Sequence, residues 1–152
     1  MNNLEETGLQ QALEKTIPSS LDNIIRERRD ELSLRMSTAE DIAELPSMVS
    51  LFDNPKQVKA TVNEWRIICL DQNIVGKSYM LTGIDASTGN VWATSLIKSV
   101  DLENNLVLTG NSLYRLGTKG EGEPTLNVLL HLCYMLHKWG LGTRFGVPPI
   151  FY

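Results

Sequence analysis

An α+β fold is what the sequence predicts: N-terminal helices, a five-stranded antiparallel meander and one C-terminal helix packed on the sheet. Three observations predict it. Before residue 63 the apolar residues recur at helical spacing between capping residues. Between residues 64 and 117, five β-rich segments follow one another through links of only a few residues. Residues 125–139 then present a wide apolar face at helical spacing. The chain has 152 residues, 42% hydrophobic and 21% charged, which is the composition of a globular domain with one core. No linker or repeat divides it, so 1–152 reads as a single domain: a helical segment over 1–63, a sheet over 64–117, and a loop, helix and aromatic tail over 118–152.

The first helix is expected over 3–16, where Leu4, Leu9 and Leu13 share a stripe and Pro18 ends the run. A second is expected over 20–36 after Ser19 and Ser20. Leu21, Ile25, Arg28 and Leu32 recur four, three and four apart with Ile24 beside them as its apolar face, and Asp22 with Arg26 and Glu31 with Arg35 form acid-before-base pairs one turn apart. Ser37-Thr38-Ala39-Glu40 fits a capping box, so a third, short helix begins there, with Ile42 and Leu45 facing inward. Residues 46–63 fit no single pattern; 57–60 would suit a further helical turn.

The segment 65–70 is dense enough in β-formers for a central strand. The next strands are expected over 77–84, with Tyr79 and Leu81 on one face, then over 91–100, 106–109 and 112–116. Asp85-Ala86-Ser87-Thr88-Gly89-Asn90 has hairpin-loop chemistry. Links this short join antiparallel neighbours, because parallel crossovers need a dozen residues or more. Residues 117–123 read as a flexible polar connection. In the last helix Leu126, Leu129, Leu130, Cys133, Leu136 and Trp139 form the buried face, and Gly140 is its C-terminal cap.

The net charge of −4 argues against a phosphate-gripping surface. No apolar run reaches the ~18 residues of a membrane span, and the first residues lack the basic and apolar regions of a signal peptide, so the expected address is the cytoplasm. The two cysteines, Cys69 and Cys133, are expected as reduced core residues. His131, Cys133 and His137 invite a metal reading, but no second cluster supplies the remaining ligands, so neither a metal nor a cofactor is expected. The Gly140–Gly146 segment follows a helix and precedes two prolines, the wrong context for a phosphate loop.

Two sets of residues remain as binding candidates. Arg26, Arg28 and Arg29 form the densest basic cluster, interleaved with acids. Phe145, Ile150, Phe151 and Tyr152 give the tail an aromatic end that either plugs a groove on its own domain or anchors a partner. For catalysis, Asp85, Asp101, Tyr114, Arg115 and His131 would have to converge from across the sheet.

Residues 91–117 carry one resemblance. Trp92-Ala93-Thr94-Ser95-Leu96, the turn residue Asp101, and Leu108-Thr109-Gly110-Asn111-Ser112-Leu113-Tyr114-Arg115-Leu116-Gly117 together resemble a β-rich module of small uncharacterised proteins carried by bacterial prophages and other mobile elements. The resemblance implies a setting and no reaction. The expectation is therefore a non-catalytic accessory protein that binds a host or cognate protein and modulates or inhibits it, without a membrane, with a homodimer open through an edge strand or the tail. The alternatives are a small enzyme with a site assembled across the sheet, and a nucleic-acid-binding protein using Arg26, Arg28, Arg29 and Arg35.

Overall fold

The computed structural model describes residues 17–48, 57–110 and 112–149. Its elements are strand β1 (Leu32–Met36), helix α1 (Ala39–Glu44), strands β2 (Val58–Gln72), β3 (Gly76–Asp85), β4 (Val91–Asp101), β5 (Leu106–Thr109) and β6 (Leu113–Leu116), and helix α2 (Leu126–Lys138). The architecture is a mostly antiparallel sheet of six strands with two helices.

The meander from β2 to β6 is antiparallel throughout, as the short links require. It does not stop there. β6 also pairs in parallel with the first part of β2, Val58 to Val62, so five strands close into a barrel. With an odd number of strands in an up-and-down meander, the first and last run the same way, so closure is necessarily parallel. β2 has the length to serve two partners on one edge: β6 along Val58–Val62, then β1 along Ile68–Gln72. Between them the register shifts at Asn63/Arg66, where Glu64 takes φ 50, a bulge that bends the strand from one partner to the next.

The expected helix over 20–36 is corrected. Residues 20–31 are turns and 32–36 is strand. The helical spacing is real only locally: Ile24 N–H donates to Leu21 O. Arg28 sits at φ 54, a left-handed conformation that stops helix propagation. Arg26 and Glu27 donate their N–H groups to Phe145 O instead of to a preceding turn. Leu32, Leu34 and Met36 alternate with Ser33 and Arg35, a strand period inside the helical one, and burial against β2 selects it. The expected pairs go with the helix: Asp22 pairs with Arg29, Glu31 with Arg28 and Arg144, and Arg35 with Asp41. A helical segment over 1–63 is therefore not a unit, since β1 and the start of β2 lie inside it and 57–60 is strand. The helix expected over 3–16 lies outside the described residues.

The capping box exists one residue later than expected. Thr38 is the N-cap and Asp41, not Glu40, closes the box. α2 agrees with expectation in extent, but its buried face is Val128, Leu129, Leu132, Cys133 and Leu136, while Leu126 is exposed. Its C-terminal end is a Schellman motif: Leu141 N–H donates to Leu136 O and Gly140, at φ 79, donates to His137 O.

Two cores follow from the alternation of β2 and β3. Ile67, Cys69, Tyr79 and Leu81 point into the barrel with Val62, Val107, Tyr114 and Leu116. Ile68, Leu70 and Met80 point outward and are covered by α2, the 21–25 turn, and Phe145 and Val147 of the tail. Residues 117–123, expected as a flexible connection, are tied down. Trp65 N–H donates to Thr118 O, Gly120 N–H to Trp65 O, and the buried Arg66 guanidinium donates to Glu121 O, Gly122 O and Glu64 O.

Candidate functional site

The most concentrated polar cluster joins β1, α1 and β3. Alternation on β1 turns Arg35 toward the N-terminal turn of α1, where Asp41 stands 4% exposed. Asp41 Oδ2 accepts from Arg35 Nη1 at 2.6 Å, Thr38 N–H at 2.8 Å and the Thr38 hydroxyl at 3.0 Å. Asp41 Oδ1 accepts from Arg35 Nη2 at 3.2 Å and the Tyr79 hydroxyl at 3.4 Å, with Lys77 Nζ at 3.6 Å. The Arg35 guanidinium, then the Thr38 backbone N–H, hold the Asp41 carboxyl well below the usual carboxylate range. Burial pushes the Tyr79 phenol up to about 12, so it stays a donor. A carboxylate this fully engaged has no lone pair to spare for a substrate proton. Its chemistry is that of an anchor clamping α1 onto the sheet.

The expected catalytic candidates do not converge. Asp85 and Asp101 lie at opposite ends of the β3–β4 hairpin, separated by roughly 30 Å of strand. Asp85 accepts from the Ser87 hydroxyl and N–H, which hold its carboxyl below the ordinary range, and Asp101 accepts from Asn104, so both are turn-formers. Tyr114 is inside the barrel, its ring 6.4 Å from that of Trp92. Arg115, next to it on β6, is exposed. His131 is on α2 beside Tyr134, its pKa lowered by burial.

Cys133 faces the outer core, where burial pushes its thiol up to about 12, and Cys69 faces the barrel interior, so the sheet separates them. His137 Nε2–H is shared between Val147 O and Pro148 O and holds the tail. Among the described residues no three His, Cys, Asp or Glu side chains gather as metal ligands.

The basic cluster is engaged at home. Arg29 donates to Asp22 Oδ1, Asp22 O and Ile25 O, and Arg26 donates to Asn23 O, Asn23 Oδ1 and Ile17 O. Arg28 reaches Glu31 at 3.5 Å. Phe145 is 3% exposed in the outer core, so at this residue the tail docks on its own domain. Ile150, Phe151 and Tyr152 lie outside the described residues.

A different surface stands out. The β3–β4 pairing ends at Met80↔Leu96, leaving Gly76–Tyr79 without a β4 partner. β4 bulges between Ile97 and Ser99 and turns to β5, and at Val100 its other edge is taken by the 46–48 segment: Val100 N–H donates to Pro46 O and Met48 N–H to Val100 O. Two hollows, together called the slot, lie beside this unpaired stretch. On the α1 side is a hollow of about 600 Å³ reaching Glu44, Leu45, Pro46 and Tyr79. On the α2 side is an apolar hollow of about 480 Å³ walled by Leu70, Leu96, Ile97, Trp139 and Leu141. Ser78, Leu96, Ile97 and Lys98 border both.

Beside the slot, the β2–β3 turn carries Ile74 at 96% and Val75 at 81% exposure, the most exposed large apolar residues described. Two β-branched residues in a turn, between Asn73 and Gly76, were the available sequence signal, since turns favour Gly, Asn, Asp and Pro. No described helix is long and apolar enough to cross a membrane. Compared with protein-family models, curated proteins and solved structures, the chain matches none, so the residues above are the ground on which its function is read.

Proposed function

We propose that this chain is a non-catalytic protein-binding accessory protein, and that the apolar β2–β3 tip with the slot beside it is its docking surface. The observation that carries this reading is the exposure of Ile74 and Val75. Two adjacent aliphatic side chains so exposed at the end of the β2–β3 hairpin bury almost nothing against the fold, which supports reading the turn as a contact surface. The slot adds an apolar wall with Lys77 and Lys98 at its mouth. The expected catalytic candidates are spread over separate turns, the barrel interior and α2, which favours binding over chemistry. The phage or mobile-element setting implied by residues 91–117, and the modulation or inhibition of a host protein, belong to this same proposal.

The test is capture from nuclease-treated bacterial lysate by the tagged full chain, compared with an Ile74→Ser/Val75→Ser variant. A stoichiometric protein retained by the first and lost by the second supports the reading. A partner retained equally by both moves the docking surface elsewhere, and enrichment that disappears with nuclease supports nucleic-acid binding instead.

A further inference from the structure

We infer that the segment ahead of Ile17, residues 1–16, docks on the outer flank of α2. The inference stands apart from the β2–β3 tip and concerns a second apolar surface. α2 buries Val128, Leu129, Leu132, Cys133 and Leu136. Leu126, Leu130 and Tyr134, each four residues after the last, form a line beside that face. Leu126 is 47% exposed and Tyr134 37%, with Leu130 partly buried between them. An apolar line of this kind is what an amphipathic segment covers.

The described chain begins alongside this helix. Leu21 N–H donates to Glu123 Oε2 at 3.1 Å, two residues ahead of Thr125, the N-cap of α2. Ile17 O accepts from Arg26 Nη2 at 3.3 Å. Burial raises the Cys133 thiol, and the Arg26 charge, near enough to be felt there, opposes it. Residues 17–21 are thus held next to α2, and the preceding sixteen start from there.

Length and charge both suit that segment. The helix that the sequence predicts over 3–16 would run roughly 21 Å, against roughly 12 Å from Leu126 to Tyr134, with Leu9 and Leu13 one turn apart. α2 has no acidic residue, and Lys138 extends the line one turn beyond Tyr134. Residues 1–16 carry Glu5, Glu6 and Glu14 against Lys15 alone, so the charges are complementary. Other stretches fit less well. Residues 150–152 start at the His137 end, where Pro148 O is held, and three extended residues reach roughly 10 Å, short of Leu126. Residues 49–56 follow Met48, which is tied to Val100 of the barrel core.

Trypsin tests this on the full chain, because Lys15 is the only tryptic site in residues 1–16. Leu126→Asp/Tyr134→Asp should speed cleavage after Lys15 roughly tenfold, and Leu9→Asp/Leu13→Asp should do the same. All four substitutions together should do no more than either pair, since both pairs break one contact. Thermal melting verifies that each variant keeps its fold; both α2 positions are exposed. The cleavage rate should hold constant over a roughly hundredfold range of protein concentration, because the contact lies within one chain.

Cleavage indifferent to the α2 pair, or effects that multiply in the combined variant, would overturn the inference. Protection that fades on dilution would overturn it too, by assigning the flank of α2 to a second copy of the chain.

Discussion

Arg35 grips Asp41 with both prongs of its guanidinium, Nη1 at 2.6 Å from Oδ2 and Nη2 at 3.2 Å from Oδ1, across the turn that joins β1 to α1. Asp41→Asn keeps one acceptor oxygen but removes the charge that the partly exposed Arg35 and Lys77 face, and should cost about 1.5–3 kcal/mol of unfolding free energy. Tyr79→Phe removes only a long hydrogen bond from the same oxygen and should cost under about 1 kcal/mol. The pH dependence has a definite sign. A depressed folded pKa means that Asp41 contributes its stability above the unfolded value near 3.8 and loses it as pH falls below. Urea midpoints followed from neutral pH downward should therefore fall more steeply below about pH 4 in the wild type than in Asp41→Asn.

Arg66 is buried and spends its guanidinium on three backbone carbonyls, two of them in the 117–123 connection. Arg66→Met should free that connection while leaving the barrel folded. Limited trypsin digestion should then cleave after Lys119 roughly tenfold faster than in the wild type. Unchanged cleavage would show that the Trp65–Thr118 and Gly120–Trp65 hydrogen bonds suffice by themselves.

At Gly83 there is no room for a Cβ, which would meet Val62 Cγ1 at 2.4 Å and Asn63 O at 2.6 Å. Because one of those atoms is backbone, Gly83→Ala should force β2 and β3 apart at the bulge, at a cost of about 3 kcal/mol. Gly110→Ala meets only Ser95, its Oγ at 3.4 Å and its Cβ at 4.0 Å, and should stay within about 0.5 kcal/mol of the wild type. Thermal melting of the two variants side by side checks both.

The tail makes the same kind of claim at Phe145. Its side chain fills the outer core and its carbonyl accepts from Arg26 and Glu27. Phe145→Ala should cost about 3–5 kcal/mol by chemical denaturation. A loss below about 1 kcal/mol would mean that the tail rests on the domain without stabilising it.

Cys69 and Cys133 are fully buried, and burial raises the pKa of both thiols. In native protein at mildly alkaline pH neither should react with a thiol reagent, and both should react in denaturant. Fast reaction of one thiol in the native protein would reveal local opening of the core that it lines.

Much of the sheet was legible because its signals are local. Alternation in β3 and β4, the Asp85–Asn90 hairpin and the Gly140 cap each depend on a few neighbouring residues. What escaped depends on distant partners. Leu32–Met36 satisfies a helical and a strand period at once, and only the edge of β2 decides between them. The parallel β2–β6 pairing has no signature in either segment. Asp41 shows the same limit at the site. The capping signal was readable, but its partners Arg35, Lys77 and Tyr79 come from β1 and β3, so the choice of Asp41 over Glu40 is made in three dimensions. The exposed Ile74-Val75 turn was visible as an oddity of composition, whereas the neighbouring slot lies beside a stretch of β3 that β4 leaves unpaired.

The parallel contact that joins Val62 to Leu116 has a kinetic consequence. Strands β2 to β5 can assemble hairpin by hairpin from neighbours in the chain, but the last seam needs the two ends of the meander at once. Its entropic cost is that of drawing the whole intervening segment into a ring before any of its own hydrogen bonds form. Until then the first residues of β2 present an unpaired edge. On a ribosome that edge waits for β6 to emerge, so the barrel seals late in synthesis, and a chain stalled before Leu113 is left with an open strand that any passing β-segment can extend.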